Sequence, residues 1–115
     1  MALIEITDLH LRTVIGANDW EREVKQDVII NVQMEFDPAR AIESDDINDT
    51  VDYKAVTKSI IKLVEGSQFY LIEKLADSIL KIVTGTPGVS GATVRVDKPQ
   101  ALRFAQSVSV TLSSE

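Results

Sequence analysis

Hydrophobic and polar residues alternate along two stretches near the start of the chain, and alternation with a period of two predicts half-buried β-strands. Across residues 28–36 the apolar face consists of Val28, Ile30, Val32, Met34 and Phe36. Across residues 3–15 the apolar positions are Ile4, Ile6, Leu9, Leu11 and Ile15, and their parity changes around Asp8. Because one inserted residue exchanges the two faces of a strand, this change predicts a β-bulge near Asp8.

Two later stretches have apolar residues at the spacing of an amphipathic helix. The first is YKAVTKSIIKLVEG, residues 53–66, with Val56, Ile60, Leu63 and Val64 on one face. The second is LIEKLADSILKIVTG, residues 71–85, with Leu71, Leu75, Ile79 and Ile82 on one face. Each stretch ends at a glycine, which commonly stops a helix. Alternation returns in ATVRVDK and SVSVTLS, which predicts two further strands over residues 92–98 and 107–113.

The predicted order of elements is β-β-α-α-β-β, without the strand–helix–strand alternation that builds a parallel sheet. We therefore expect an α+β fold in which one antiparallel sheet of four strands carries both helices on one face. The other face is polar, and it includes Asn31, Gln33, Glu35, Ser107, Ser109, Thr111 and Ser113. An open sheet also has two edges that foreign strands can pair with. In a ring of subunits the sheet edges would pair with one another and the polar faces would line a solvent-filled interior. We therefore expect a homo-oligomer.

The composition fits a single domain over residues 1–115, large enough for one modest core with 44% hydrophobic residues. The net charge is −6 and the basic residues are scattered, which argues against nucleic acids and anionic membranes as partners. There is no cysteine, no apolar run long enough to span a bilayer, and no signal-peptide pattern in MALIEITDLH. The expected compartment is therefore the cytoplasm.

Several familiar catalytic motifs are missing from the sequence, among them GxGxxG, GxxxxGK(S/T), HExxH and GxSxG. The single histidine, His10, has no visible partner and is expected to be structural or solvent-facing. One loop is crowded with the acids Asp45, Asp46, Asp49 and Asp52. Their spacing does not match a calcium-binding loop, so we expect them to be solvated or to cap helix N-termini.

Four polar residues are candidates for chemistry, and each also has a plain structural explanation. Tyr53 and Glu73 lie at the starts of the two predicted helices, where an aromatic ring can pack on the sheet and an acid is favoured by the helix dipole. Glu21, in NDWEREVKQ, fits a solvated loop charge. Lys98, between Asp97 and Pro99, fits the protection of a sheet edge. On these patterns alone the function of the domain stays open.

Four segments carry a resemblance over essentially the whole chain: IGANDWEREVKQDVIINV, DDINDTVDYKAV, FYLIEKLAD and VRVDKPQALRF. On them the sequence resembles the dihydroneopterin aldolases and the related dihydroneopterin-triphosphate epimerases. The resemblance implies the tunnelling fold (T-fold), in which subunits assemble as a tetramer or octamer around a β-barrel and the active sites lie between subunits. It also implies a small-molecule pterin substrate, with no cofactor and no metal.

The same resemblance implies roles for individual residues. Glu73 would bind the pterin, because a carboxylate can accept hydrogen bonds from a ring N–H and the amine beside it. Lys98 and Glu21 would form the catalytic centre, where Lys98 moves protons through an ordered water. Tyr53 would come from a neighbouring subunit, close over the pterin and help to relay a proton. The other expected substrate-binding residues are Ile72, Thr50, Val51 and Ala17.

Two reactions share one cleaved intermediate in this family. A carbon–carbon bond in the C6 side chain breaks when the 2′-hydroxyl loses its proton, and the dihydropterin ring accepts the electrons. Release of glycolaldehyde would make the protein a 7,8-dihydroneopterin aldolase of tetrahydrofolate biosynthesis, whereas re-addition inverts C2′. We favour the aldolase, with the 2′-epimerase as the alternative and a non-catalytic pterin or purine-like binding module as a second alternative. The cations that could meet a triphosphate are Arg22, Lys25, Lys54 and Arg103.

Overall fold

A computed structural model describes residues 1–114 of the chain. Its strands are β1 (Ala2–Thr13), β2 (Gln26–Phe36), β3 (Val89–Lys98) and β4 (Val108–Ser113). Its α-helices are α1 (Ala39–Ser44), α2 (Tyr53–Gly66) and α3 (Ile72–Thr84), and 3-10 turns cover Asp19–Arg22 and Ile47–Asp49. The strands pair in the order β1-β2-β3-β4, with every neighbouring pair antiparallel. The predicted α+β arrangement is therefore confirmed.

The hydrophobic core lies between one face of the sheet and the helices α2 and α3. Alternate side chains of a strand share a face, and β2 uses this to bury Val28, Ile30, Val32 and Met34. Helix α2 packs on β1, while α3 packs on β3 and β4. Each aliphatic side chain buried in this way stabilises the fold by about 1.5–3 kcal/mol relative to an exposed one. Both long helices thus cover the same face, as predicted.

The bulge predicted near Asp8 is confirmed. Ile6 pairs with Val32 and Leu9 pairs with Ile30, so β1 has one more residue than β2 between these pairs. Asp8 takes a left-handed backbone conformation with φ 55°, and its N–H donates to Oδ1 of Asn31 at 2.8 Å. The bulge lets Ile6 and Leu9, which have opposite parity, both face the core.

The buried stripe of α3 differs from the predicted one at both ends. Leu71 precedes the helix and is 54% exposed, and Ile82 is only partly buried. The buried residues are Leu75, Ala76, Ile79 and Val83. Ile82 and Val83 are adjacent and both apolar, so the helical period could not predict which of the two side chains faces the core.

The short helix α1 was not predicted, because its six residues bury none of their side chains and so leave no apolar period. Two of the four acids of the following loop cap helix starts, as expected. Asp46 accepts a hydrogen bond from the N–H of Asn48, and Asp52 accepts one from the N–H of Ala55. No helix within residues 1–114 has the length and apolar character needed to cross a membrane.

The second face of the sheet is polar and concave. It forms a depression whose lining includes His10, Asn31, Gln33, Thr93, Arg95, Asp97 and Thr111. Side chains there pair with one another, as in the two hydrogen bonds that Arg95 donates to Asp97 at 2.9 and 3.2 Å. Strands β1 and β4 form the two edges of the sheet within one chain. Closure of these edges into a ring with other copies stays a prediction.

Two leucines of the second helical segment provide a matched test of this core. Leu75 is 0% exposed whereas Leu71 is 54% exposed. We expect Leu75→Ala to lower the free energy of unfolding by about 2–5 kcal/mol, because it removes buried apolar contacts and leaves a cavity. Leu71→Ala should change it by less than about 0.5 kcal/mol. Urea unfolding followed by circular dichroism measures both, and equal losses would contradict the position of the core.

Candidate active site

Lys98 ends β3, and β3 is an interior strand with β2 on one side and β4 on the other. The explanation of Lys98 as protection of a sheet edge is therefore wrong. The residue is 8% exposed, and its Nζ donates a hydrogen bond to Oε2 of Glu21. An ammonium group taken out of water is costly unless a counter-charge replaces the lost solvent. Glu21 supplies that charge.

Glu21 is 4% exposed, so the expectation of a solvated loop charge is also wrong. Its position follows from the 3-10 turn Asp19–Arg22, which begins with a capping arrangement. The backbone N–H and the side-chain Nδ2 of Asn18 donate to Oε1 of Glu21 at 3.2 and 2.8 Å. Nε2 of Gln26 donates to Oε2 at 2.9 Å. The carboxylate thus accepts hydrogen bonds at both oxygens.

These contacts set the protonation state of Glu21. Burial by itself raises the pKa of a carboxyl group, because it penalises the charged form. Hydrogen bonds from Lys98, Gln26 and Asn18, with the charge of Lys98, act in the opposite direction and lower the pKa of Glu21 from 4.5 to about 2. Glu21 is therefore an anion at neutral pH. The site holds a buried ion pair.

Gly16 is a residue of this site that sequence reasoning missed. Its backbone has φ +132°, and a Cβ atom placed on it would lie 2.2 Å from both Cδ and Oε2 of Glu21. No side chain can occupy that space while the carboxylate keeps its place. The available signal was the glycine in IGANDWE, five residues before Glu21. A close backbone approach is a common reason for glycine next to a functional group.

The first turn of α3, with Ile72 and Glu73, lies at the same end of the molecule as the ion pair. The residues just before that turn contact the loop that carries Glu21: the N–H of Gly16 donates to the carbonyl oxygen of Phe69 at 3.3 Å. Glu73 is exposed and Ile72 is half-buried. Ala17, next to Gly16, is also exposed at this end. One chain therefore places Lys98, Glu21, Glu73, Ile72 and Ala17 at the same end of the molecule.

Tyr53, Thr50 and Val51 lie at the other end of the sheet. Val51 is buried, and its Cγ2 lies next to Gly88, immediately before the first residue of β3. Lys98 is the last residue of that strand, so the two ends are about 30 Å apart at about 3.3 Å per residue. Tyr53 is 52% exposed. One chain does not bring these three residues to Lys98, and they could join it only from a second copy.

Of the four candidate cations for a triphosphate, Arg22 already donates hydrogen bonds to the backbone. Its guanidinium donates to the carbonyl oxygens of Gly16, Gln68 and Phe69. Lys25, Lys54 and Arg103 are exposed. Within residues 1–114 there is no cluster of three or more histidine, aspartate or glutamate side chains with the geometry to hold a metal ion.

The molecule is thus an α+β protein with a four-stranded antiparallel sheet and a buried lysine–glutamate pair at one end of it. The family model described as dihydroneopterin aldolase (FolB) matches residues 4–113. The chain belongs to the dihydroneopterin aldolase (FolB) family.

Individual relatives differ in their similarity to the chain. The dihydroneopterin triphosphate 2′-epimerase of Pseudomonas aeruginosa is 47% identical over 113 residues, which cover 98% of this chain and 92% of the relative. The dihydroneopterin aldolase of Escherichia coli is 28% identical over 112 residues, covering 97% of this chain and 92% of the relative. The crystal structure of E. coli dihydroneopterin aldolase in complex with neopterin superposes with a TM-score of 0.92 at 27% identity, and covers 100% of both chains.

The low pKa of Glu21 predicts how stability depends on pH. A carboxyl whose folded pKa lies below its unfolded value stabilises the fold above pH 4.5, and this contribution disappears as pH falls towards 2. The contribution is on the order of 3 kcal/mol. We expect Glu21→Gln to be less stable than the unaltered protein at pH 7, with the difference shrinking between pH 4.5 and 2.

Urea unfolding at pH 7, 4 and 2.5 measures this difference. Glu43→Gln is the matched control, because Glu43 is exposed on α1 and its removal should cost little at any of these pH values. A constant difference between Glu21→Gln and the unaltered protein from pH 7 to 2.5 would show that the Glu21 carboxylate is not held in the way described.

Gly16→Ala tests the fit against Glu21. The added methyl group needs the space of the carboxylate and a strained backbone, so the ion pair is displaced and the free energy of unfolding falls by about 3 kcal/mol or more. Gly66→Ala is the control, since its Cβ would meet nothing within 4 Å and alanine favours a helix. That variant should be as stable as the unaltered protein or slightly more so. Equal stability of both variants in urea would refute the assignment.

Proposed function

We propose that the protein is an enzyme acting on the C6 side chain of a dihydropterin, and that its main reaction is inversion at C2′ of dihydroneopterin triphosphate. The observation that carries this choice is the difference in similarity: 47% identity to a named epimerase against 28% to a named aldolase, over nearly the same length. From the family resemblance we favoured aldol cleavage as the main activity, so the proposal exchanges the aldolase and the epimerase. Cleavage to 6-hydroxymethyl-7,8-dihydropterin is kept as the second candidate because the two reactions share their first step.

Substrate binding in this proposal begins at the first turn of α3. Glu73 is exposed there, and a carboxylate can accept hydrogen bonds from a ring N–H and the adjacent amine of a pterin in one plane. The start of a helix also has backbone N–H groups without intrahelical partners, which could donate to the pterin carbonyl. Ile72 and Ala17 lie at the same end and would contact the ring or its side chain. The binding group is thus separate from the ion pair but on the same side of the molecule.

Proton transfer is assigned to Lys98. Its side-chain nitrogen is held by Glu21 at the end of β3. After Lys98 has released a proton to solvent, its neutral amine would accept the proton of the substrate 2′-hydroxyl through an ordered water and become again the ammonium ion that Glu21 stabilises. As that proton leaves, the C1′–C2′ bond breaks, C2′ becomes an aldehyde carbon and the bonding electrons move into the C6=N5 imine of the ring. The ring is the electron acceptor, so the proposed step asks for no cofactor and no metal. General acid–base assistance of this kind contributes about 10²- to 10⁴-fold in rate.

The outcome depends on the aldehyde fragment. If the fragment turns over and its carbon–carbon bond re-forms, C2′ is inverted; if it leaves, the enol-like pterin is protonated at C1′ and cleavage is complete. An epimerase must therefore retain the fragment, and a triphosphate attached to the fragment could be bound by positively charged side chains. Lys25, Lys54 and Arg103 are exposed and remain candidates to hold it, whereas the guanidinium of Arg22 already donates three hydrogen bonds to backbone carbonyl oxygens.

A second copy of the chain completes the proposed site. Tyr53, with Thr50 and Val51, lies at the opposite end of β3 from Lys98, and that strand is about 30 Å long, so the closure over the pterin would come from a neighbour. The polar face and the two edges of the sheet support assembly of such copies into a tetramer or octamer with inter-subunit sites. A purely pterin-binding module would need Glu73 but not the buried Lys98–Glu21 pair, and this disfavours a non-catalytic function.

Incubation of the purified protein with dihydroneopterin triphosphate and, separately, with dihydroneopterin tests the proposal. Chromatography should show the 2′-epimer as the main product of the triphosphate and a smaller amount of 6-hydroxymethyl-7,8-dihydropterin from either substrate. Lys98→Gln, which removes the amine that exchanges protons, should lower turnover by about 10²-fold or more while pterin affinity stays within a few fold. Glu73→Ala should instead lose affinity.

Lys62→Gln is the control for these variants, because Lys62 is exposed on α2 and should tolerate the change. Cleavage as the dominant reaction would select the aldolase. Near-normal turnover by Lys98→Gln would exclude its role in proton transfer, and failure of the unaltered protein to convert either pterin would overturn the proposed function.

A further inference from the structure

Arg22 makes contacts that the proposed chemistry does not use. It ends the 3-10 turn Asp19–Arg22. Its Nη1 donates to the carbonyl oxygens of Gly16 and Phe69, both at 3.0 Å, and its Nη2 donates to the carbonyl oxygen of Gln68. Its guanidinium carbon lies 3.9 Å from the centre of the Tyr70 ring, which is the geometry of a cation–π contact. We call this set of contacts the Arg22 clasp.

The clasp joins two segments that are 46 or more residues apart in sequence. One is the loop 16–22, which carries Glu21. The other is the connection 68–70, which leads directly into the first turn of α3 with Glu73. The N–H of Gly16 adds a further hydrogen bond to the carbonyl oxygen of Phe69. The two parts of the candidate site are thus held together by the Arg22 side chain and by this backbone hydrogen bond.

Arginine suits this position for a chemical reason. Its planar guanidinium presents five N–H donors in a fixed fork and can stack on an aromatic ring at the same time. Three backbone carbonyl oxygens converge here, and the fork meets all of them. A lysine in the same place would keep the positive charge, but its compact ammonium group cannot reproduce the planar set of donors or the stacking.

We propose that Arg22 is a positioning residue, which fixes the distance between the Glu21–Lys98 pair and Glu73 by locking the loop 16–22 onto the start of α3. The inference rests on the proposed function and deepens it. A bound pterin held by Glu73 presents its side chain to Lys98 only if these two segments keep their relative position. A misplacement of about 1 Å between a bound substrate and a catalytic group can cost about 100-fold in rate.

Loosening the clasp should act on turnover more than on binding. We expect Arg22→Lys to lower kcat for inversion at C2′ by about 10- to 100-fold, while KM changes by less than about threefold, since Glu73 itself is retained. It should also raise the fraction of substrate that is cleaved, because a fragment that is poorly aligned for re-addition has more time to leave. Arg12→Lys is the matched control: Arg12 is an exposed arginine that also donates to a carbonyl oxygen, that of Lys25.

Steady-state kinetics and product analysis on the purified variants give the answer. Unchanged kcat and an unchanged ratio of inverted to cleaved product in Arg22→Lys would overturn the proposal. If that variant unfolds at the assay temperature, Tyr70→Leu replaces it, since this change removes the cation–π contact but leaves the carbonyl hydrogen bonds. A smaller shift in the same direction supports the positioning role, and no shift overturns it.

Hydrogen exchange of the Gly16 N–H separates this inference from the proposed function. If the unaltered protein converts neither pterin, the proposed function fails, but the clasp still makes a prediction about that N–H. Its exchange should be about tenfold or more faster in Arg22→Lys than in the unaltered protein and in Arg12→Lys. Equal exchange in all three proteins would overturn the positioning role, whatever the outcome of the assays.

Discussion

The buried ion pair between Glu21 and Lys98 is the interaction on which the rest of the candidate site depends. Two charges removed from water destabilise a fold unless each finds partners of the right kind. Here the carboxylate accepts hydrogen bonds from Asn18, Gln26 and Lys98 together. The pair joins residues 77 positions apart in the chain, and it ties the loop after β1 to the last residue of β3.

The residues around this pair fix the position of the Glu21 carboxylate. Because Gly16 has no side chain, the carboxylate of Glu21 can lie against its backbone. Gln26 donates both to Glu21 and to the carbonyl oxygen of Ile15, so the first residue of β2 fixes the loop from the other side. The loop is irregular in backbone and yet well defined in position. Its hydrogen bonds, more than hydrophobic contacts, determine where Glu21 lies.

Much of the fold could be predicted from the sequence because it follows from periodicity. The alternation in residues 28–36 fixed β2 and its buried face, and the change of parity at Asp8 correctly indicated the bulge. Helix α1 could not be found, because it buries nothing. In α3 two adjacent apolar residues, Ile82 and Val83, left the facing ambiguous. Periodicity therefore fails where the apolar signal is absent or continuous.

The candidate site was less accessible from sequence. Whether Lys98 lies on an edge or in the interior depends on the order of strands in the sheet. Its strand, β3, is interior because β4, which comes later in the chain, pairs with it. The burial of Glu21 depends on hydrogen bonds to neighbours that look like ordinary loop residues. Resemblance to a family pointed to both residues as members of one catalytic centre, but it did not show their burial or the part played by Gly16. Those features depend on three-dimensional packing.

The separation of Tyr53 from Lys98 has a consequence for how such a protein could be assembled. If the two ends of the sheet meet between copies, each copy both supplies and receives half of a site. A closed symmetric assembly then has as many complete centres as chains, whereas an open row leaves one unmatched half at each extremity. Catalytic capacity would in that case be a property of assembly, and a lone chain would carry two halves that never meet.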